Sequence, residues 1–366
     1  MRHEFQSGKS RYGDLAPRFS AAYAPGKDHQ TVIRIGAGVF YDRRRPPILE
    51  QSLRFDGIQT QQYILTNPVY PVPDPTGLGS QVPSAVWRID PNLVFPRTYQ
   101  ASATIERQLP GGFVLVSDYT YQRGDHLFRA RDINAPLAAT GLRPYPDQGD
   151  IYQIESSASS RGNILNWTLK SPPNPNRRFQ FFAQYTLSWL YDDTNAAFPP
   201  PPGTSTPGNS LFTSLLPANS YDLRPEWGRE NNDARNRFGL SGTVKLPLHL
   251  TFGTLTTIRS GLPYNITTGE DNNGDGVAND RPAGVTRNTG GPGLVSVDVH
   301  LGRKFTIQRG ERKIDADIGV DSFNVLNHAN FTNTVGVITS PLFGKANAAL
   351  DGRQMQFNSA DPLLRQ

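Results

Sequence analysis

Strand-length runs in which apolar and polar residues alternate strictly constrain this chain more than any other feature. From Arg237 to Leu246, Phe238, Leu240, Val244 and Leu246 fall on one side of an extended backbone, with Arg237, Ser241, Thr243 and Lys245 on the other. Leu248 to Ile258 repeats the pattern, setting Leu248, Leu250, Phe252 and Ile258 against His249, Thr251 and Thr257. A third run sets Ile314, Ala316, Ile318 and Val320 against Asp315, Asp317 and Asp321. Each is about 10 residues long, the length a tilted strand needs to cross a bilayer.

Eleven such segments are expected, at about 15–24, 31–41, 98–109, 113–123, 151–169, 178–191, 235–246, 248–259, 293–306, 312–327 and 351–358. The links between them alternate short and long. Tight turns fall at 25–30, 110–112, 171–177, 247 and 307–311, and long loops at 42–97, 124–150, 192–234, 260–292 and 328–350. Tight turns on one side and extended loops on the other characterise an outer-membrane barrel. The expected fold class is therefore all-β, an antiparallel outer-membrane β-barrel segment of about eleven strands. Bacterial single-chain barrels have even strand counts, so eleven predicts an incomplete barrel. The first and last strands both run toward the periplasm.

Composition fits this class. Only 36% of the residues are hydrophobic, and no stretch approaches about 18 apolar residues, so a transmembrane helix is excluded. A barrel wall exposes half of each strand to a polar lumen, so low hydropathy is no objection. In Phe179 to Tyr191, Phe179, Phe181, Ala183, Tyr185, Leu187, Trp189 and Tyr191 form the lipid set, while Phe182 and Leu190 break the alternation. Trp189, Tyr191, Tyr41, Tyr119 and Tyr121 are expected at strand ends before long loops, as an interfacial aromatic girdle. By the same pattern Leu240, Val244, Leu250, Phe252, Ile318 and Val320 belong on a convex face, and Lys245, Asp315 and Asp317 on a concave one.

The net charge of +5 is dispersed, with Arg43, Arg44 and Arg45 the only basic run, which excludes a nucleic-acid binder. That run suits a solvated loop better than a lipopolysaccharide or acidic-ligand site. There is no cysteine, so disulfides and thiolate chemistry are absent. The six histidines are scattered, and neither H-E-x-x-H, G-x-S-x-G nor a Walker loop occurs. Gly36-Ala37-Gly38 lacks the third glycine of a dinucleotide turn. No enzyme is expected.

The segments LAPRFSAAYAPGKDHQTVIRIGAGVFYDR (15–43), PRTYQASATIERQLPGGFVLVSDYTYQRGDHLFRARDIN (96–134), ARNRFGLSGTVKLP (234–247), SGLPYNITTGEDNNGDGVANDRP (260–282) and DSFNVLNHANF (321–331) resemble the C-terminal barrel of TonB-dependent receptors. The branch they most resemble is the Oar-like transporters, which often carry an N-terminal carboxypeptidase-regulatory-like domain. The resemblance implies a barrel of about 22 strands around a plug, of which residues 1–366 form a single C-terminal part. It implies uptake of a large or scarce solute, with outer-membrane lipid and lipopolysaccharide, the barrel-assembly machinery and the TonB system as partners. The family's signal peptide, TonB box and plug have no counterpart here, so a portion of a longer exported protein is expected. The last strand departs from the family: GRQMQF (352–357) is followed by NSADPLLRQ rather than an aromatic finish.

One segment carries site chemistry. In DNNGDGVANDRP (271–282), Asp271, Asn273 and Asp275 stand at positions 1, 3 and 5 of a calcium-type loop, followed by Gly276. The Val277 carbonyl and Asn279 stand at positions 7 and 9. Pro282 replaces the terminal bidentate Glu, and Asp280 is its candidate substitute. Calcium is thus the one possible cofactor, bracing an external loop; the alternative is a polar turn without metal. The competing reading of the whole chain is a secreted, calcium-stabilised β-rich adhesion or binding module.

Overall fold

A computed structural model describes residues 2–3, 15–42, 85–172, 177–194, 216–287, 289–309 and 312–360, without the side chains of 2–3, 306–317 and 359–360. Eleven main strands follow in order. They are β1 (Arg18–Tyr23), β2 (Thr31–Tyr41), β3 (Arg97–Gln108), β4 (Val114–Asp132), β5 (Ile151–Lys170) and β6 (Phe179–Asp192), then β7 (Asn236–Lys245), β8 (Leu250–Arg259), β9 (Leu294–Arg309), β10 (Arg312–Phe323) and β11 (Gln354–Ala360). Each pairs antiparallel with its neighbours in sequence, as a continuous meander. Two short pieces raise the sheet to 13 strands: Val86–Ile89 lies parallel to the start of β5, and Gly228–Arg229 pairs with the end of β6. Among the described residues there is no α-helix, and β1 and β11 are not paired with each other.

The register aligns the apolar residues of successive strands on one face. Phe179, Val244, Phe252, Leu301, Val320 and Phe357 stand opposite one another across six strands. A second row runs Tyr23, Ile33, Ile105, Ser117, Trp167, Tyr185, Phe238, Ile258 and Val295. These side chains are not packed under a second layer: Ile105 is 51% exposed, Leu301 45% and Phe357 80%. A sandwich would bury them in a dry core, and lipid is the solvent that suits them.

The opposite face is polar and hydrogen-bonded along its own rows. Thr104 Oγ1 donates to Asp118 Oδ2 (2.8 Å), Asn166 Nδ2 to Asp118 Oδ1 (3.4 Å), and Thr186 Oγ1 to Asn166 Oδ1 (2.7 Å). This face is concave, because it lines a hollow of about 940 Å³ in which Lys170, Gln180, Ser241, Thr243, Asp298 and His300 stand among apolar residues such as Phe182 and Leu255. Leu240, Val244, Leu250, Phe252, Ile318 and Val320 therefore take the convex side as expected. Asp315 and Asp317 pair with Thr306 and Lys304 in register, but their side chains lie outside the described residues, as do Arg43, Arg44 and Arg45.

Three departures from the sequence reading have physical causes. β4 runs to Asp132 rather than about residue 123, because register shifts between Gly124 and Leu127 and between Leu127 and Arg129 break the period-two pattern while pairing with β5 continues. Tyr119 and Tyr121 are consequently mid-strand; Tyr121 shares a row with Asn163 and Trp189. Leu248 and His249, counted within a strand, form the β7–β8 turn, both at φ 61°. Last, β10 ends at Phe323, where Asn324 turns the chain at φ 48°.

Candidate functional site: the external loop layer

The most deeply buried side chains lie outside the lipid-facing wall. Ile151, Ile154, Asp132, Asn134, Glu226, Asp233 and Pro217 are under 2% exposed, and all belong to long loops or the strand ends that feed them. The extended end of the β4–β5 hairpin is the foundation. Ala130, Tyr152 and Ile154 on it pack with Trp87 and Leu216, flanked by Val277, so four separate stretches share one small apolar core. A wall one residue thick cannot bury side chains on both faces, whereas loops folded over its rim can.

Polar side chains fix each loop to that core. Asp132 Oδ1 accepts the amides of Asn134 (2.8 Å) and Ile151 (2.9 Å). Asn134 in turn accepts the Tyr145 amide (2.7 Å) and donates to the carbonyls of Tyr145, Gln148 and Gly149, closing the 133–150 loop. Ser220 Oγ accepts the Asp132 amide (3.0 Å) and ties down the next loop. Glu226 forms a buried two-point pair with Arg281, 3.0 Å on its Oε2 side, and accepts the Ala218 amide (2.9 Å). Arg287 reaches from the 260–293 loop to the carbonyls of Asp192 (2.9 Å) and Thr194. Burial pushes its guanidinium down to about 10, with Arg129 adding repulsion.

Glycine permits the closest approaches. At Gly228 a Cβ would collide with the Arg287 carbonyl, and at Gly336 with the Asn265 carbonyl. The second contact joins the 324–353 loop to the 260–293 loop, where Thr267 bridges Val337 and its amide donates to the Gly336 carbonyl (3.0 Å).

The Asp271–Asp280 segment sits inside this layer. Asp271 accepts the amides of Asp275 (3.0 Å) and Gly276 (2.9 Å), and Asp275 accepts that of Val277 (2.9 Å). Asp280 Oδ2 accepts the amides of Asn272 (2.6 Å) and Asn273 (3.2 Å). Asn273 bonds both ways, its Oδ1 accepting the Asp275 amide (2.9 Å) and its Nδ2 donating to Asp275 Oδ2 (3.1 Å) and to the Ala218 carbonyl (2.8 Å), while Asn279 donates to the Leu216 carbonyl (3.1 Å). The segment thus clamps the neighbouring loop by direct hydrogen bonds. Among the described residues no three His, Cys, Asp or Glu side chains converge as metal ligands. Asp275 is 4% exposed, and its carboxyl is pushed up to about 6, chiefly by burial and further by Asp271 and Asp280.

An antiparallel meander with one lipid-facing side, tight turns at one rim and a folded loop layer at the other defines an outer-membrane barrel wall. The sequence bears this out: residues 6–290 and 285–356 match the family described as outer membrane beta barrel domain, and the chain belongs to that family. No curated protein matches it. Among solved structures it is similar to the outer membrane transporter YddB from Escherichia coli (12% identity, TM-score 0.57), covering 94% of this chain and 40% of that one. It is also similar to the ferripyoverdine receptor of the Pseudomonas aeruginosa outer membrane bound to ferripyoverdine (11% identity, TM-score 0.51), covering 94% of this chain and 32% of that one. At such identities the likeness is one of fold, and the chain spans well under half the length of either protein.

Proposed function

We propose that residues 1–366 form one unit, the C-terminal part of a TonB-dependent transporter barrel of the Oar-like branch, which takes up a large or scarce solute across the outer membrane. The observation that carries this reading is the pairing of a lipid-type wall with a rigid external layer. The long loops and the strand ends beneath them are locked by a shared apolar core, buried hydrogen bonds and the Glu226–Arg281 ion pair, an arrangement that holds a recognition surface in one shape before a solute arrives. A secreted adhesion module would need a partner layer over the apolar face, and none covers it among the described residues. In this reading outer-membrane lipid and lipopolysaccharide meet the convex face, the barrel-assembly machinery inserts it, and TonB acts through parts of a longer protein. Ferric siderophores are the first solutes to test, since the fold is shared with a receptor bound to ferripyoverdine. Cells lacking the full-length protein should lose uptake of one labelled solute that intact cells accumulate and that a protonophore abolishes. Uptake unchanged by the deletion across siderophores, oligosaccharides and peptides would contradict the proposal.

A calcium ion at Asp271, Asn273, Asp275, the Val277 carbonyl, Asn279 and Asp280 is proposed as an added brace. Its support is that Asn279 Oδ1 is buried without a hydrogen-bond partner and that Asp271 and Asp280 repel the charged Asp275 carboxylate. Without the position-12 carboxylate the expected Kd is about 10⁻⁴ to 10⁻³ M.

A further inference from the structure

Two arginines stand opposite each other on the concave face, at the rim that carries the external loops. Ser260 donates its amide to the Asn236 carbonyl (2.8 Å), so 236 and 260 form a hydrogen-bonded pair of β7 and β8. Arg237 and Arg259, the next pair in register, are therefore of the non-hydrogen-bonded kind, in which opposing side chains stand closest. Both fall in the same alternation as Ser241 and Leu255, which line the concave hollow. Like charges directly opposite across a sheet are destabilising. No ion pair among the described residues offsets them: Arg237 donates to the Asn232 carbonyl, and Arg259 Nη1 is buried without a hydrogen-bond partner. Glu230, in the adjoining loop, feels the Arg237 charge without forming an ion pair with it. Residues 195–215, which lead from β6 toward that loop, hold neither Asp nor Glu.

The space beside the pair is open. Gly239 shares the concave face with Arg237 and pairs with Thr257, two residues before Arg259. Its φ lies outside the left-handed region, and a Cβ there would meet nothing within 4 Å. Neither backbone nor packing therefore requires glycine, and its missing side chain leaves a clear floor next to both guanidiniums. Hydroxyls flank that floor: Thr186 pairs with Arg237, and Thr257 pairs with Ser296 on β9. From Thr186 a hydrogen-bonded row continues through Asn166 and Asp118 to Thr104. Guanidinium forks match the paired oxygens of a carboxylate or phosphate, and a row of hydroxyl and amide groups suits a hydroxyl-bearing body. Resting on the transport reading, we infer that Arg237 and Arg259, beside the floor at Gly239, bind the carboxylate or phosphate group of a hydroxyl-bearing solute.

The test is titration calorimetry on the full chain in detergent micelles at neutral pH and low salt, with glucose 6-phosphate, glucuronate and glucose as probes. The two anions should bind and neutral glucose should not; the tighter anion assigns the site to phosphate or to carboxylate. Arg259→Gln should weaken anion binding about tenfold or more. Gly239→Val, which fills the floor and keeps both charges, should do the same, whereas Arg161→Gln on the convex face should change nothing. Arg259→Gln removes a like-charge contact, so β7 and β8 should keep or gain amide protection while affinity falls, which separates lost binding from lost folding. Anion affinity unchanged by Arg259→Gln, glucose bound as tightly as the anions, or no anion binding by a parent chain with β7 and β8 protected would each overturn the inference. Solute uptake by cells is read separately. Uptake lost on deletion without anion binding leaves the transport reading standing and removes the site, and anion binding through Arg259 without any uptake does the reverse.

Discussion

Arginine at Leu240 and arginine at Ser241 place the same charge on opposite faces of one strand, and the fold assigns them very different costs. β7 has 10 residues; at about 3.3 Å each it is about 33 Å long, and a tilt of about 40° reduces its height to about 25 Å, that of the apolar band. Leu240 is its fifth residue and stands between Ala183 and Thr256, near the middle of that band. Arginine at the bilayer midplane costs about 2–4 kcal/mol. At about 1.4 kcal/mol per tenfold, that is a loss of about 30- to 1,000-fold in the membrane partition constant. Ser241 opens onto the water-accessible hollow, where the guanidinium keeps its water and the cost is about 0.5 kcal/mol or less. The assay is vesicle flotation under graded urea, comparing Leu240→Arg, Ser241→Arg and the parent chain. Equal loss in both variants, or a greater loss for Ser241→Arg, would refute the face assignment.

Removing one partner of a buried ion pair costs about 3–5 kcal/mol, so Glu226→Ala, which strands Arg281, should speed amide exchange in residues 216–230 and 260–287 while leaving β7 and β8 protected. Gly336→Ala should separate the 324–353 loop from the 260–293 loop by forcing a methyl onto the Asn265 carbonyl, read as new protease cleavage within 330–345 without change in the sheet. Because the folded Asp275 carboxyl lies near 6, above its unfolded value of about 3.9, its contribution to stability is full below about pH 4 and is lost as pH rises through about 6. Loop exchange at 271–280, corrected for intrinsic rates, should therefore accelerate from pH 4 to pH 7, flatten in Asp275→Asn, and slow again at pH 7 on adding millimolar calcium; the same response to calcium in Asp275→Ala would remove the metal proposal.

The wall of the fold was legible because each position in it answers to a single neighbouring solvent. With lipid on one side and water on the other, period-two alternation is imposed residue by residue, and strands such as Thr31–Tyr41 and Asn236–Lys245 match the expected bounds closely. Legibility failed where that two-solvent rule stops. Beyond Arg123 the β4–β5 hairpin rises out of the band, a bulge at His126 shifts its register, and both faces pack against protein. Val86–Ile89 was missed for the same reason: Trp87 is buried against Tyr152, a contact only the folded loops create. The calcium-type spacing of Asp271, Asn273 and Asp275 was visible in the sequence. Its clamp onto the carbonyls of Leu216 and Ala218, more than 50 residues away, was not.

The central claim is that the two faces of this sheet meet different solvents, and labelling along β8 measures it residue by residue. Single cysteines carrying spin labels at positions 250 to 258, in vesicles bearing the protein, should give a strict period of two: Leu250, Phe252, Thr254, Thr256 and Ile258 relaxed by lipid-soluble oxygen, and Thr251, Gly253, Leu255 and Thr257 by a water-soluble nickel chelate. Shielding of the even positions from both reagents would mean a dry protein core on that face, and the barrel account would be wrong.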